Sequence, residues 1–292
     1  MTDAAVSRVR SFNRLITQRV GALNDHYLSR ERPLGEARVL WEIGVDGCDV
    51  RGLRARLGLD AGYLSRLLRA LEQDGLIEVV ASEVDRRVRT ARLTRRGQKE
   101  RDLLDRRSDE LAASLLAPLT ASRRERLVTA MAEVERLLTA SLVELEIVDP
   151  STADARFCLR EYFAELDRRF DDGFDHVLGP VELAAMRPPG GLFVVATLLG
   201  EPVGCGGLMF HGREPAELKR MWVAEAARGL GLGRRLLEEL ERLAGEHGTR
   251  RLRLETNRNL SEAIALYRSA GYREVAPFND LPYAHHWFEK RL

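Results

Sequence analysis

The chain has 292 residues, of which 45% are hydrophobic and 31% charged, with a net charge of +1. That length suits two domains, and the longest apolar run, eight residues at 192–199, falls far short of the roughly 20 that span a bilayer. The first fifteen residues lack the apolar segment of a leader, and Cys48, Cys158 and Cys205 have neither disulfide-framework nor zinc-ligand spacing. A cytoplasmic protein with no membrane span and no metal is expected.

The first half reads as helix. Phe12, Ile16, Leu23 and Tyr27 recur near the 3.6-residue period and predict an amphipathic helix over 6–28. A short helix follows at 35–43, stopped by Gly44 and Gly47. Asp49 and Asp60 stand where N-caps are needed before 50–57 and 61–74, with Gly58 and Gly75 as the stops. Two strands at 76–80 and 88–93 flank a polar turn at 82–87, and helical spacing returns at 99–119 and 121–143. The texture changes near residue 144. Strands at 145–148, 192–198, 203–210, 217–223 and 250–255 then alternate with helices at 153–170, 232–243 and 261–270, and the tail from Tyr272 is strand-like, which indicates a layered α/β domain.

Charge is distributed unevenly. Residues 1–144 hold 26 basic and 22 acidic side chains, residues 145–292 hold 20 and 23, and the stretch 86–107 alone holds ten and three. A local basic cluster on a near-neutral chain suggests a polyanion-binding patch. Only three of the 46 basic residues are lysine.

Residues 49–93 have the length of a helix-turn-helix followed by a ribbon. Leu64, Leu67, Leu68 and Leu71 share one face of the second helix, which turns Tyr63, Ser65, Arg66 and Arg69 outward, where arginine can donate to base edges and phosphates. The ribbon tip carries Asp85, Arg86, Arg87 and Arg89, placed to reach phosphates or a minor groove. The succession Leu64-Ser65-Arg66-Leu67, Gly75-Leu76-Ile77, Asp85-Arg86-Arg87, Leu93-Thr94 and Gly97 closely resembles the MarR family of winged helix-turn-helix regulators over residues 1–143. The resemblance implies double-stranded DNA as partner, a homodimer formed through the N- and C-terminal helices, and a wing in which Asp85 orients Arg87.

The second half carries a different signal. Arg228-Gly-Leu-Gly-Leu-Gly233 opens the helix of Leu236 and Leu240 five residues after the strand ending in Met221-Trp222-Val223. Glycines there let a backbone approach closely, and a helix N-terminus offers unpaired N–H groups and a positive dipole end to a pyrophosphate. Downstream come Asn259, then Ala263-Ile264-x-Leu266-Tyr267 and Gly271-Tyr272. Together these resemble the two signatures of the GNAT superfamily of N-acetyltransferases, and the likeness extends over residues 144–292. It implies acetyl-CoA as acyl donor and an amine as acceptor. Met221, Trp222 and Val223 would pair with the pantetheine arm. The stretch Arg228, Gly229, Leu230, Gly231, Leu232, Gly233 and Arg234 would hold the pyrophosphate. Asn259 would touch the coenzyme, with Leu260 able to occupy that place instead. Tyr267 would protonate the leaving thiolate, and Glu217 would serve as general base. His285 and His286 are candidates for the acceptor pocket, formed by loops around 155–190 and 275–288.

The expected architecture is thus a mostly helical winged helix-turn-helix domain, 1–143, fused to an α/β domain of GNAT fold with a mixed twisted sheet flanked by helices, 144–292. The expected function joins transcription regulation to N-acetyl transfer. The alternative is a regulator whose second domain only senses acetyl-CoA or a small ligand. The acceptor, the operator and the direction of regulation are not legible in the sequence.

Overall fold

The computed structural model describes residues 3–22, 28, 32–81, 89–171, 173–174, 180–212 and 215–292. The chain divides into two compact units at Thr129/Ala130. That division lies inside the helix α6 (Ala121–Ser141).

In the first unit, α1 (Asp3–Arg19) is followed by α2 (Leu34–Ile43), the short strand β1 (Cys48–Asp49), α3 (Val50–Leu57) and α4 (Ala61–Gln73). Then come β2 (Ile77–Ala81), β3 (Arg89–Leu93) and α5 (Arg95–Leu116). Helix α1 is shorter than its apolar spacing predicts, because Gly21 takes a left-handed φ of +70° just past its end; Leu23 and Tyr27 lie outside the described residues. The caps fall where expected. Asp49 accepts from the Gly52 amide at 2.9 Å and Asp60 from the Tyr63 amide at 2.8 Å; such a cap contributes about 1 kcal/mol. Leu64, Leu67, Leu68 and Leu71 of α4 are buried with Leu40, Ile43 and Leu53 in one core.

The link from ribbon to α5 explains two of the motif residues. Thr94 accepts from the Gly97 amide at 3.0 Å while its hydroxyl donates to the Gly75 carbonyl at 2.7 Å. A side chain at Gly97 would bring its Cβ to 1.9 Å from the Leu76 carbonyl oxygen. Helix α5 therefore starts at Arg95, capped by Thr94, several residues before the predicted 99.

The second unit begins with the end of α6 and the strand β4 (Val143–Ile147). Helices α7 (Ala153–Arg169) and α8 (Pro180–Ala185) precede β5 (Gly191–Leu198), β6 (Glu201–Met209) and β7 (Ala216–Val223). Then come α9 (Leu232–Glu246), β8 (Arg251–Thr256), α10 (Ser261–Ser269), β9 (Arg273–Glu274) and β10 (His286–Arg291). Helix α8 and strand β1 were not expected from the sequence. The seven strands lie in the order β4-β5-β6-β7-β8-β10-β9, with β7 and β8 parallel and the other pairs antiparallel.

Alternation along β5 separates the two faces of this sheet. Leu192 and Val194 pack with Leu236, Leu237 and Leu240 of α9 and Ile264 and Tyr267 of α10. Phe193 and Val195 pack with Ala155, Cys158 and Leu159 of α7. Burying each such leucine contributes about 2 kcal/mol. Among the described residues no helix is long and apolar enough to cross a membrane.

Candidate functional site

Strands β7 and β8 pair only at Ala216/Leu252 and Glu217/Arg253. Beyond those positions they part, and a bulge accounts for it. The β6–β7 register shifts between Cys205 and Gly207, and Arg220 adopts a left-handed φ of +56°. For a residue with a Cβ that conformation costs about 1 kcal/mol. The Cys205 thiol donates to the Arg220 carbonyl at 3.3 Å and braces the bulge. A bulge adds local twist, so the Met221–Trp222–Val223 edge turns away from β8 and has no ladder partner there.

A helix start opens just past this edge. Gly229 and Gly231 have φ of +79° and +76°. A Cβ built on Gly231 would meet nothing within 4 Å, and as N-cap of α9 this glycine supplies no side-chain cap. The amides of Leu232, Gly233 and Arg234 have no acceptor among the described residues. Three orphan donors and the positive end of a 15-residue helix make a cradle for a phosphate group. Arg136 on α6 donates to the Gly229 carbonyl at 3.0 Å, which steadies the loop.

Tyr267 of α10 closes the inner end. Its ring is buried against Tyr272 and Phe288, and among the described residues its hydroxyl has one hydrogen-bond partner, the Met221 thioether at 3.9 Å. Burial, then the neighbouring Tyr162 and Glu255, push its pKa far up, so it carries its proton at any physiological pH.

On the α7 face of the sheet four charges interlock. Lys219 lies 2.5 Å from Glu255 and 3.0 Å from Glu217, and Arg253 lies 2.7 Å from Glu217. Burial alone would raise the Glu217 pKa, but the pull of Lys219 and Arg253 outweighs it and leaves the carboxyl below its ordinary value. Asn279 donates to the other Glu255 oxygen at 3.4 Å and accepts from the Trp287 indole at 2.9 Å. One aromatic ring lies against the cluster, with the Arg253 guanidinium carbon 4.5 Å from the centre of the Phe278 ring; next along β7, the Arg220 guanidinium carbon lies 5.1 Å from the centre of the Phe163 ring.

Comparison with known proteins agrees with this geometry. The family model for the acetyltransferase (GNAT) family matches residues 153–272, and that for the MarR family matches residues 31–88. An IAA acetyltransferase of Azospirillum brasilense is 39% identical over 119 residues, 39% of this chain and 76% of the relative. The chain belongs to the GNAT acetyltransferase family. An uncharacterized N-acetyltransferase of Schizosaccharomyces pombe is 30% identical over 133 residues, 44% of this chain and 80% of the relative. Among solved structures, the PcaV transcriptional regulator from Streptomyces coelicolor is 25% identical over 46% of this chain and 96% of that one, with a TM-score of 0.38. The chain thus carries an N-terminal MarR-family segment and a C-terminal GNAT N-acetyltransferase.

Within the GNAT unit, the structure sets Tyr267 against Met221, and Val223 of the same strand lies 3.9 Å from where a Cβ on Gly233 would stand. The structure leads three other side chains elsewhere. Arg228 is bound to Glu165 at 2.6 Å, and Glu165 also accepts from the Trp222 indole at 2.9 Å. Arg234 donates to Ser269. Asn259 donates to the Arg169 carbonyl at 2.8 Å and to Asp171 at 3.3 Å, tying the end of α7 to the loop before α10. His286 is held by Glu274 at 2.6 Å, and His285 is exposed.

On the MarR-family unit, Tyr63, Arg66 and Arg69 are exposed on α4 and Ser65 is half-buried beside them. The Arg66 guanidinium lies 5.6 Å from the Tyr63 ring centre. Arg89 is exposed at the start of β3, while Asp85, Arg86 and Arg87 lie outside the described residues.

Sequence reasoning missed Glu255, Lys219 and Tyr162. The alternation Leu252, Leu254, Thr256 inward on β8 could have turned Glu255 toward the α7 face. Nothing in the sequence joined it to Lys219, because that needs β7 and β8 to be neighbours.

Proposed function

We propose that this chain is a DNA-binding regulator and an acetyl-CoA-dependent N-acetyltransferase in one polypeptide, with 1–143 as the DNA-binding and dimerisation part and 144–292 as the catalytic part. One observation carries the catalytic reading: the proton-bearing Tyr267 hydroxyl lies against Met221 on the edge that leads to an uncapped glycine helix start.

The amides of Leu232, Gly233 and Arg234 would hold the pyrophosphate of acetyl-CoA, and the exposed cation of Arg234 adds charge once it leaves Ser269. The free edge of Met221–Val223 would pair with the amide groups of the pantetheine arm. This puts the thioester near Tyr267. An acceptor amine attacks the thioester carbonyl only as the free base, so its ammonium must first lose a proton. Glu217 takes that role directly or through water; Glu255 shares Lys219 with it and is the second carboxylate placed to do so. The C–N bond forms, the C–S bond breaks, and Tyr267 protonates the departing thiolate.

The MarR-family part would bind double-stranded DNA as a homodimer, with Tyr63, Ser65, Arg66 and Arg69 in the major groove and Asp85, Arg86, Arg87 and Arg89 on the wing. A cytoplasmic location follows from that partner. The deciding experiment incubates the chain with labelled acetyl-CoA and a panel of amines, peptides and IAA, the compound for which the Azospirillum relative is named, followed by mass spectrometry. Tight acetyl-CoA binding with no thiol release on any acceptor would instead make the GNAT part a sensor.

A further inference from the structure

Lysine is scarce in this chain, and each of the three can be accounted for in turn. Arginine serves nearly everywhere a cation is needed, with Lys99, Lys219 and Lys290 as the exceptions. Two have structural work. Lys219 bridges Glu217 and Glu255 with its side chain only 14% exposed. Lys290 pairs with Glu241 at 2.7 Å, 23% exposed. Lys99 is exposed on α5 and has no ion pair or hydrogen bond among the described residues. A compact ammonium and a guanidinium differ in one chemical respect that matters here. Lysine can shed a proton and become a nucleophile, whereas the guanidinium, with a pKa above about 12, stays charged.

The surroundings of Lys99 supply a second observation. The first turn of α5 holds Arg95 and Arg96 and no acid. Cations there oppose the helix dipole and cost stability, by roughly 0.3–1 kcal/mol each. An external polyanion would offset that cost, and Lys99 follows this turn within the basic stretch 86–107.

We propose that Lys99 is an acetylation site for the acetyltransferase that this same chain carries, and that its acetylation weakens DNA binding. The proposal rests on the catalytic reading above. In the step, Lys99 Nζ forms a bond to the acetyl carbon and the thioester C–S bond breaks. The ammonium gives up two protons. One goes to solvent, and the other replaces the proton that Tyr267 hands to the coenzyme thiolate. A positive charge in that basic stretch becomes a neutral amide.

The test incubates the full chain with acetyl-CoA and maps acetyl groups by peptide mass spectrometry. Wild type is expected to gain one on Lys99. Lys99→Arg is expected to gain none on that peptide, and Tyr267→Phe to slow incorporation by about 10²-fold or more. Gly231→Asp, altering another part of the unit, serves as a second inactive control. Equal incorporation in wild type and both inactive variants would mean spontaneous acetylation and overturn the proposal. So would thiol release with a small amine and no modification of Lys99, an outcome that leaves the catalytic reading standing. If no acceptor of any kind releases thiol, both fall. Acetylated protein is expected to lose about 0.9 from the log–log salt slope of DNA binding per copy, the share of one phosphate contact; an unchanged slope would overturn the regulatory half.

Discussion

The Tyr267 hydroxyl donates to the Met221 thioether at 3.9 Å, its one hydrogen-bond partner among the described residues. A buried phenol with so weak a partner keeps its proton available. Tyr267→Phe removes that proton and retains the ring packing with Tyr272 and Phe288. Acetyl-CoA affinity is expected to survive while turnover falls by about 10²–10⁴-fold, the usual worth of general acid assistance. Calorimetry and a thiol-release assay on the same preparation separate the two effects. Equal turnover in the variant would remove Tyr267 from the mechanism.

The loop before α9 makes an opposite prediction. At Gly231 a side chain has room, since nothing lies within 4 Å of its Cβ, but φ is +76°. Gly231→Asp should therefore fold with a penalty of about 1–2 kcal/mol from the left-handed backbone. It should lose acetyl-CoA binding, because an anion then occupies the cradle of orphan amides. Retained affinity in a folded variant would move the coenzyme site elsewhere.

Glu217 sets a pH dependence. Its carboxyl is held below the ordinary value of 4.5 because Lys219 and Arg253 outweigh its burial. The sign follows: its stabilising pairings are complete above about pH 4.5 and are lost as pH falls toward the depressed value. The melting-temperature gap between wild type and Glu217→Gln should accordingly be flat from neutral pH down to about 5 and close below it. In kcat/KM, Glu217 ionisation should contribute no limb between about pH 5 and 8, so a rise across that range follows the acceptor amine or another group. A limb near pH 6 that disappears in Glu217→Gln would contradict this assignment.

Apolar surface on two helices argues for a partner copy. On α1, Val9, Phe12 and Leu15 are 58%, 45% and 59% exposed, and on α6 Leu137 and Leu138 are 54% and 60% exposed. Neither helix has a buried residue. Light scattering at micromolar concentration should give a dimer. Phe12→Glu should weaken it by at least about tenfold, since a large apolar side chain buried at an interface contributes roughly 1.5–3 kcal/mol. A folded wild-type monomer would remove the claim.

What the sequence made legible was local. Asp49 and Asp60 announce helix starts because a cap needs only its next three residues, and the glycine loop with Tyr267 reads as one signature because its parts lie within 40 residues. What depended on distant chain contacts was not legible. Asn259 matches a coenzyme contact by motif, yet its amide is committed to the Arg169 carbonyl, 90 residues away. Arg228 follows the same pattern, drawn to Glu165 across 63 residues. Glu255 emerged only once β8 was seen beside β7. The end of α1 was misjudged for a different reason: apolar spacing continues to Tyr27, and a single left-handed Gly21 overrides it.

The recognition helix offers the last test. Arg66 and Arg69 are exposed on α4, whose buried leucines fix which face is presented. The two arginines are three positions apart, so they share one side of the helix. If both reach phosphates, each alanine substitution should lower the log–log salt slope by about 0.9 per copy and weaken binding to all sequences alike. If one reaches a base edge instead, its loss should relax the preference at one position by about 1–3 kcal/mol while the slope stays close to wild type. Gel-shift titrations against salt, on the DNA upstream of the gene and on a scrambled control, distinguish these cases residue by residue. Unchanged affinity, slope and preference in the double variant Arg66→Ala/Arg69→Ala would show that α4 is not the helix that reads DNA.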